Sequence, residues 1–357
     1  MINVTRSYLP PIEVYNAYLQ KLWQSRWLTN NGVMVKELEQ ELKNYLQSGE
    51  TLFLGNGTIA LQLAIKALEL KGEIITTPFS YVATTTCLLW ENCIPVYADI
   101  KEADYNIDPA KIEELITDKT SAILATHVYG NPCDVIAIKK IADKHKLKVI
   151  YDGAHAFGTI YQNKQLLTYG DVATCSFHAT KIFHTIEGGA LITNDKKLAE
   201  KLSLYRSFGH IGDEYFSIGI NGKNSEFHAA MGLALLPMMP KFIERRKAIT
   251  ELYDSILLDL PLTRPVSLPD TKYNYSYYPV AFKTEEQLLK TKLLLERNNI
   301  NTRRYFYPSL NNLPYFKGEA CPVSESASLR MLALPIYFEL EDAAIKMICE
   351  IIKESFA

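Results

Sequence analysis

A lysine that directly follows an apolar segment is the first candidate for covalent chemistry in this sequence. Lys181 comes after Val172–Phe177, an apolar run that predicts a buried strand. Desolvation at the end of such a strand lowers the pKa of an amine, which leaves it free to form an imine with a carbonyl compound. Ser176 is placed to hydrogen-bond a phosphate, and the Gly188-Gly189 pair permits close approach of a returning strand. A single lysine at a strand end is more often merely solvated, so this interpretation depends on the segments that accompany it.

A second candidate is a carboxylate delivered to the end of another apolar segment. Residues Lys148–Tyr151 predict a strand, and Asp152 follows them at once. Beside a pyridine ring, a carboxylate in this position keeps the ring nitrogen protonated and so maintains the electron sink of pyridoxal 5′-phosphate (PLP). Taken alone, Asp152 is more simply explained as a helix cap or a salt-bridge partner, because acidic residues commonly begin helices.

A glycine-containing turn offers a third candidate site. A predicted strand leads into Gly55-Asn56-Gly57-Thr58 and then into a predicted helix. The backbone N–H groups and the positive end of that helix are suited to hold a phosphate. The same spacing matches the dinucleotide-binding fingerprint, which would make the protein an NAD-dependent dehydrogenase. That alternative requires an acidic residue after the second strand, where this sequence has Thr77-Pro78, so we favour simple phosphate binding.

The elements that position these residues alternate between short apolar strands and helices. After helices at 12–28 and 35–46, the pattern predicts further helices at 59–70 and 134–145. The predicted strands are Leu52–Leu54, Ile74–Thr76, Pro95–Ala98, Ala122–Thr126, Lys148–Tyr151, Val172–Phe177 and Ala190–Thr193. Such alternation builds right-handed crossovers and a mostly parallel sheet, whose ligand sites lie at the carboxyl ends of the strands. The candidate segments fall at those ends.

The pattern changes after residue 240, and this change predicts a second domain. A helix and a proline-rich segment come first, and the elements predicted in this region are helices at 240–258, 285–298 and 341–354 and strands at 277–282 and 301–304. At 357 residues, the chain also exceeds the size at which one hydrophobic core usually keeps growing. We therefore expect a large α/β domain over residues 1–240 and a smaller α+β domain over residues 241–357.

Composition and charge exclude several classes of protein. The 38 basic and 40 acidic residues give a net charge of −2, without the basic excess of a nucleic-acid binder. No apolar run approaches the roughly 18 residues of a membrane-spanning helix, and the first eleven residues lack the apolar core of a secretory signal. The six cysteines contain no CxxC pair, and the seven histidines have no zinc-site spacing. We expect a cytoplasmic protein that binds no nucleic acid, membrane or metal.

Ordered blocks of this sequence match those of a known family with the correct separations. The blocks are Asn56-Gly57-Thr58, Thr77–Thr84, Asp152–Ala156, Ser176–Lys181, Glu187-Gly188-Gly189 and Gly219-Ile220-Asn221. Through them the chain resembles the DegT/DnrJ/EryC1/StrS sugar aminotransferases over nearly its whole length. The resemblance implies an α/β, aspartate-aminotransferase-like fold (PLP fold type I), with a mostly parallel sheet in the large domain, and it implies PLP as the cofactor.

The resemblance also implies roles for individual residues. Lys181 resembles the lysine that forms the Schiff base with PLP, and Asp152 resembles the partner of the pyridine nitrogen. Asn221 resembles an asparagine that reaches the phosphate from the neighbouring subunit, which implies a homodimer with shared active sites. The remaining implied cofactor contacts are Gly57, Thr58 and Ser176 at the phosphate, Tyr81 stacked on the ring and His155 near the ring hydroxyl.

Two departures from the family pattern concern the sugar. The usual Gly-Tyr-Asn-x-Arg ends here in Lys223, which lacks the planar bidentate donation of arginine. The usual Pro-Leu-His is Pro308-Ser309-Leu310 in this chain, which removes a polar contact. Segments 27–32 and 302–308 most resemble the subgroup that makes dTDP-4-amino-4,6-dideoxyglucose. The substrate-binding residues implied in this way are Thr29, Lys223, Arg304, Tyr305 and Tyr307.

This subgroup implies transfer of an amino group from L-glutamate to the C4 ketone of dTDP-4-keto-6-deoxyglucose, for a surface polysaccharide such as the O-antigen of lipopolysaccharide. Lys181 would move the proton as general acid and base. Amination at C3 of a 3-keto sugar remains an alternative within the same fold. A PLP-dependent sugar dehydratase of the same family would lack the lysine. A binding protein without activity is disfavoured, because every catalytic residue type is in place.

Overall fold

A seven-stranded sheet lies at the centre of the computed structural model, which describes all 357 residues. Its strands are β1 (Glu50–Leu54), β2 (Glu73–Thr76), β3 (Ile94–Tyr97), β4 (Thr120–Thr126), β5 (Lys148–Asp152), β8 (Val172–Ser176) and β9 (Gly189–Thr193). The shorter strands outside it are β6 (Ile160–Tyr161), β7 (Lys164–Gln165), β10 (His210–Ile211), β11 (Glu214–Tyr215), β12 (Thr271–Lys272), β13 (Tyr278–Ala281), β14 (Asn312–Leu313), β15 (Phe316–Lys317) and β16 (Met331–Leu334).

Twelve α-helices surround and extend the central sheet. They are α1 (Ile12–Ser25), α2 (Val33–Leu46), α3 (Gly57–Ala67), α4 (Ala83–Trp90), α5 (Pro109–Glu114), α6 (Val135–His145), α7 (Lys196–Tyr205), α8 (Glu226–Leu235), α9 (Met239–Leu257), α10 (Glu285–Arg297), α11 (Pro322–Arg330) and α12 (Asp342–Phe356). Several begin where a polar side chain accepts a hydrogen bond from a first-turn amide, as Asn56 does for α3 and Asp134 for α6.

The central sheet is mostly parallel, as the alternation of strands and helices predicts. Its strand order is β1-β9-β8-β5-β4-β2-β3. Only β9 runs against its neighbours, since it pairs antiparallel with both β1 and β8. All seven predicted strands of this sheet are confirmed near their predicted bounds. The carboxyl ends of β4, β5 and β8 therefore meet at one edge.

Both faces of the sheet are covered, and successive side chains alternate between two cores. Ile75, Ile123 and Tyr151 belong to the core that α2, α6 and α8 cover. Their neighbours Ile74, Leu124 and Ile150 belong to the core beneath α3, α4 and α7. This alternation with period two explains why the strands are continuous apolar runs, as expected for a parallel sheet buried on both faces.

The C-terminal region has a hydrophobic core of its own. Its buried members all lie between Ile249 and Ile352, on α9, α10, α12, β13, β16 and the loops beside them. The start of α9 belongs to the large core through Met239 and Phe242, whereas its later turns belong to the C-terminal core. We therefore keep a domain boundary near residue 240 as a proposal, with α9 as the element that joins the two cores.

One strand prediction in this region is wrong. Residues 301–304 form no strand, because only Arg303 pairs with another strand, through a single bridge to Ala333. The next residue, Arg304, turns its guanidinium towards Glu285 and the carbonyl oxygens at the end of α11. The strand that pairs with β13 is instead β16, which the sequence analysis did not identify.

Candidate active site

A cavity of about 390 Å³ opens at the carboxyl edge of the central sheet. Thr126 of β4, Asp152 of β5 and Ser176 of β8 line it together with the first residues of α3. Seven of the eight predicted cofactor-binding residues lie in this lining, and Asn221 is the exception. The sheet topology thus collects side chains that are more than a hundred residues apart in sequence.

Lys181 lies in the turn after β8 and lines the cavity. Its backbone N–H donates to the carbonyl oxygen of His178 over 2.9 Å, which fixes the turn. Its Nζ lies 3.3 Å from the hydroxyl oxygen of Tyr277. Burial lowers the pKa of Lys181, and nearby Tyr305 and Asp152 only partly oppose that effect. A lysine held in this way is neutral more often than a solvated one, which makes it a better base and nucleophile.

Asp152 ends β5 and is 5% exposed. One carboxylate oxygen accepts a hydrogen bond from the hydroxyl of Thr84 over 2.8 Å, and the other accepts from the N–H of Ala154 over 3.1 Å. No ion pair includes Asp152, so the salt-bridge alternative does not apply. Burial raises its pKa, while the bonds from Thr84 and Ala154 and the charge of Lys181 act in the opposite direction. The carboxylate retains acceptor capacity for a cationic N–H group in the cavity.

The turn between β1 and α3 is built for close approach of an anion. Asn56 caps α3 by accepting the N–H of Ile59 over 2.8 Å, so the helix N-terminus faces the cavity. A Cβ on Gly57 would lie 3.1 Å from Cβ of Ser176, and a Cβ on Gly189 would lie 2.4 Å from the carbonyl carbon of Asn56. A side chain at position 189 would therefore collide with the Asn56 backbone, whereas one at position 57 would fit only if Ser176 moved by a few tenths of an ångström. Ser176 lies beside Gly57 and also lines the cavity, and we refer to Ser176 and this turn together as the glycine cradle.

The topology contradicts the dinucleotide alternative for the same turn. In a dinucleotide-binding unit, the strand before the glycine turn pairs in parallel with the strand that follows the helix. Here β1 is an edge strand that pairs only with β9, whereas β2 pairs with β3 and β4. The glycine turn therefore lacks the strand arrangement of a dinucleotide-binding site.

His155 supplies a buried polar atom that has no partner within the chain. Its ring stacks on Phe306 with 5.5 Å between centroids, and its Nδ1 is buried without a hydrogen bond. Burial lowers the pKa of His155, so the ring is neutral and keeps one donor and one acceptor nitrogen. Tyr81 lines the opening and is 52% exposed, which leaves an aromatic face free. Together with the glycine cradle and Asp152, these groups fit the phosphate, ring and ring nitrogen of PLP.

Two residues predicted to contact the sugar do not line the cavity. The Arg304 guanidinium forms an ion pair with Glu285 over 2.7 Å and bonds the carbonyl oxygens of Ser328 and Leu329. It also lies 3.7 Å above the ring of Tyr307, which is 52% exposed. Both side chains therefore make these contacts within the C-terminal region. Tyr305 does line the cavity.

Three further predicted residues lie outside this cavity on the large domain. Asn221 pairs through a backbone bridge with Ser207, and the next residue, Gly222, accepts the N–H of Gly55 over 2.9 Å. The Lys223 Nζ lies 4.6 Å above the ring of Phe208. Thr29 lies in an exposed turn before α2. Each remains available to a second subunit, which is the role that the resemblance implies for Asn221.

Three cavity residues, Phe306, Tyr277 and Arg303, and one buried residue behind the cavity, Thr84, were not predicted from the sequence. Thr84 binds Asp152, Phe306 stacks on His155, and Tyr277 contacts Lys181. Arg303 also lines the cavity, and its guanidinium lies 4.8 Å from the centroid of the Tyr305 ring without an ion pair. Arg303 and Tyr305 lie on one side of the chain and Arg304 lies on the other. This alternation could have indicated that Arg303 lines the cavity together with Tyr305. Nothing in the local sequence marks Tyr277.

The family model for DegT/DnrJ/EryC1/StrS aminotransferases matches residues 12–353 of this chain. The match spans nearly the whole protein and includes both the cavity and the C-terminal core. The chain belongs to this aminotransferase family. Membership confirms the resemblance and makes the protein a PLP-dependent transaminase, so PLP is its cofactor.

Three relatives resemble the chain over almost its full length. The dTDP-4-amino-4,6-dideoxy-D-glucose transaminase of Shigella dysenteriae is 41% identical, over 99% of this chain and 98% of that protein. The Escherichia coli protein of the same name is 40% identical, over 98% of each. The GDP-perosamine synthase of Vibrio cholerae is 31% identical, over 95% of each.

Solved structures of family members confirm the fold. DesI, determined in the presence of its TDP-sugar product, superposes with a TM-score of 0.94 at 30% identity, over 99% of this chain and 92% of that one. Helicobacter pylori PseC, an aminotransferase of pseudaminic acid biosynthesis, gives 0.92 at 28% identity, over 99% of each chain. The α/β, aspartate-aminotransferase-like fold of PLP fold type I is thus confirmed for this family member.

The structure of this aminotransferase has neither a helix that could span a membrane nor a cluster of metal-ligating side chains. None of its helices combines the length and the apolar character that crossing a membrane would require. No group of three or more His, Cys, Asp and Glu side chains lies close enough to hold a metal ion.

Proposed function

We propose that this aminotransferase moves an amino group from L-glutamate to C4 of dTDP-4-keto-6-deoxyglucose and so produces dTDP-4-amino-4,6-dideoxyglucose. The observation that carries the proposal is 41% and 40% identity to two transaminases named for this product, over 99% and 98% of the chain. Relatives named for GDP-perosamine are less similar, at 31%. The cavity supports the proposal because it offers a free amine, a buried carboxylate and a phosphate cradle in one place.

Bound PLP supplies the electron sink that stabilises negative charge at the reacting carbon. We propose that Gly57, Thr58 and Ser176 hold its phosphate, that Asp152 faces the ring nitrogen, and that His155 lies near the ring hydroxyl. Tyr81 would cover the ring with its exposed face, since stacked aromatic contact limits rotation of a bound ring. Each group lines the same cavity.

Lys181 would act in two ways during the reaction. Its amine would hold the cofactor in the resting enzyme and would be free once a donor amine has bound. The released amine then removes a proton from the donor carbon, and in the second half-reaction it delivers a proton to the sugar carbon. Burial lowers the pKa of Lys181, which supports the first of these proton transfers because only the neutral amine is a base.

We also propose a homodimer in which Asn221 and Lys223 reach the neighbouring active site. The segment from Phe208 to Ile220 supports this arrangement because it exposes six large apolar side chains: Phe208, Ile211, Tyr215, Phe216, Ile218 and Ile220. Exposed apolar groups clustered in one segment are characteristic of an interaction surface. The β10–β11 hairpin carries two of them.

We propose a cytoplasmic enzyme whose product enters a surface polysaccharide such as the O-antigen of lipopolysaccharide. All six cysteines are free and buried, which is the usual state in a reducing compartment. The link to the polysaccharide rests on the subgroup resemblance.

A substrate panel tests the proposed reaction. The purified, PLP-loaded enzyme is incubated with ¹⁵N-labelled L-glutamate and, in separate reactions, with dTDP-4-keto-6-deoxyglucose, its 3-keto isomer and a GDP-4-keto-6-deoxyhexose. We expect ¹⁵N at C4 of the dTDP sugar, identified by NMR. Preferred labelling of the 3-keto isomer would favour the alternative of C3 amination. Preferred labelling of the GDP sugar would contradict the proposed nucleotide.

A further inference from the structure

The amine of Lys181 has one hydrogen-bond partner in the cavity. The distance from its Nζ to the hydroxyl oxygen of Tyr277 is 3.3 Å, and Tyr277 is 4% exposed. We propose that Tyr277 is a positioning residue that holds the Lys181 amine in place, in both of its protonation states, while that amine moves protons. This inference rests on the proposed aminotransferase reaction and deepens it.

A tyrosine hydroxyl suits this task because it both donates and accepts hydrogen bonds. The protonated amine of Lys181 donates to the hydroxyl oxygen of Tyr277, and the neutral amine accepts the hydroxyl hydrogen. Burial raises the pKa of Tyr277 to about 12, so the hydroxyl keeps its hydrogen throughout the working range. Rotation of one hydrogen atom is enough to change from one arrangement to the other.

The backbone around Tyr277 is fixed before any ligand binds. The Asn274 amide and the Ser276 hydroxyl both donate to the carbonyl oxygen of His155, each over 2.8 Å. The buried guanidinium of Arg246 donates to the carbonyl oxygen of Ser276 over 3.0 Å. These bonds tie the residue before Tyr277 both to the large domain and to α9. The hydroxyl therefore has a defined position relative to the turn that carries Lys181.

The ring of Tyr277 is held as firmly as its backbone. It packs edge-on against His155 with 4.8 Å between centroids and against Tyr305 with 5.3 Å. The other titratable groups that act on the Lys181 amine are Asp152, Cys175, Tyr81 and Tyr305. None of these groups forms a hydrogen bond with Nζ, so Tyr277 alone restrains its direction.

The test uses Tyr277→Phe in the full-length holoenzyme. Loss of a hydrogen bond to a charged group predicts a kcat for the glutamate half-reaction that is about tenfold lower. The KM for glutamate should stay within about twofold of the wild-type value, because the hydroxyl does not bind the donor. Stopped-flow absorbance of the bound cofactor measures both constants.

A second measurement reports on the amine itself rather than on turnover. In enzyme loaded with the aminated cofactor, Lys181 is free, and the pH dependence of its acetylation by acetic anhydride, followed by peptide mass spectrometry, gives its titration midpoint. A hydrogen bond stabilises the charged amine more than the neutral amine. The Tyr277→Phe variant should therefore titrate at a lower pH than the wild type.

Tyr273→Phe is the matched control, because the hydroxyl of Tyr273 donates to the carbonyl oxygen of Tyr129 over 2.6 Å and does not line the cavity. It should leave kcat and the Lys181 midpoint unchanged. Equal losses in both variants, or a wild-type midpoint in Tyr277→Phe, would overturn the proposal.

Site-specific 3-fluorotyrosine at position 277 covers the case in which Tyr277→Phe fails to fold. It keeps the hydroxyl but makes it a weaker acceptor and a stronger donor, so the Lys181 midpoint should again move to lower pH. An unchanged midpoint would overturn the proposal. If the sugar assignment alone is wrong, the glutamate half-reaction and the Lys181 titration still give these results, so the two failures are distinguishable.

Discussion

Two ionisable residues in the cavity lack a partner of opposite charge, and the reaction accounts for both. Asp152 is buried with only two neutral hydrogen-bond donors, and the Arg303 guanidinium forms no ion pair although it lines the cavity. A buried charge such as that of Asp152 is costly without a partner, so it is expected where a ligand supplies the counter-charge, whereas Arg303 is exposed at the cavity and is free to meet an anion. A protonated ring nitrogen would supply the counter-charge for Asp152, and an anionic group of the substrate would supply the counter-charge for Arg303.

We predict that Asp152→Asn still binds PLP but slows the glutamate half-reaction by about a hundredfold or more, because a neutral amide does not keep the ring nitrogen charged. Stopped-flow absorbance measures this rate, and equilibrium titration measures the affinity for PLP. Thr84→Val is the matched control, since it removes only the 2.8 Å hydrogen bond to the carboxylate. The control should slow the reaction much less. Near-normal turnover in Asp152→Asn would refute the role.

The two adjacent arginines give a second prediction at this scale. Arg303→Ala should raise the KM for at least one anionic substrate about tenfold or more, because a hydrogen bond to a charged group is lost. Arg304→Ala should instead lower the melting temperature, since its guanidinium bonds Glu285 and two carbonyl groups. Steady-state kinetics with varied glutamate and varied sugar nucleotide, together with thermal unfolding, distinguish the two. Wild-type KM values in Arg303→Ala would contradict a substrate role.

At the scale of elements, the phosphate cradle depends on the contact between two loops. The turn from β1 into α3 carries Asn56 and Gly57, and the start of β9 at Gly189 lies directly against it. The antiparallel pairing of β1 with β9 brings the two segments together, with Leu54 opposite Gly189. The cradle is therefore a property of the strand pairing as well as of the glycine turn.

We predict that Gly189→Ala weakens PLP binding by about tenfold or more, because its Cβ would lie 2.4 Å from the Asn56 backbone and overpacking of this kind costs 1–3 kcal/mol or so. Gly55→Ala is the control within the same turn, since the nearest atom to its Cβ would be at 3.8 Å, an ordinary contact. It should change the dissociation constant by less than about twofold. Titration of the apoenzyme with PLP, followed by absorbance, compares the two. Equal affinities would show that the cradle is not rigid.

At the scale of the whole molecule, one protomer provides an incomplete site if the proposed dimer is correct. Seven predicted cofactor-binding residues line the cavity of a single chain, whereas Asn221 does not. The apolar segment Phe208–Ile220 leads directly to Asn221, so a partner that covers this segment would also approach the residue. In an isologous two-fold dimer, each subunit would then contribute the same residue to the active site of its partner.

Mixed dimers test this arrangement. Lys181→Ala removes the reacting amine, and Asn221→Asp places a negative charge that repels the cofactor phosphate, so each variant alone should be inactive. In a mixed dimer one site carries both defects and the other carries neither. Random exchange of equal amounts should restore about a quarter of wild-type activity.

The activity assay is combined with native mass spectrometry, which establishes that subunits have exchanged. Exchange without recovered activity would mean that Asn221 serves its own subunit or is only a turn residue. Each variant alone, taken through the same exchange procedure, gives the baseline activity.

The sequence by itself determined the positions of Lys181, Asp152 and Ser176 in the site. Each follows or ends an apolar strand, and parallel strands in a sheet place their carboxyl ends at one edge, so local pattern and sheet geometry predict that the three residues lie together. The ordered blocks shared with the family then distinguished them from a solvated lysine and a helix cap. The seven central strands were predicted for the same reason. Only the tertiary structure decided the contributions of the C-terminal region.

Tyr277 lies 96 residues from Lys181 along the chain, and no local sequence pattern predicts a contact between residues so far apart in sequence. The sequence analysis named Arg304 and not Arg303, whereas Arg303 is the arginine that lines the cavity. The predicted strand at 301–304 is reduced to one bridge, and the side chain that faces the cavity depends on where that bridge falls. Local periodicity predicts which segments form strands and helices, whereas the docking of one domain on another determines which of their side chains meet.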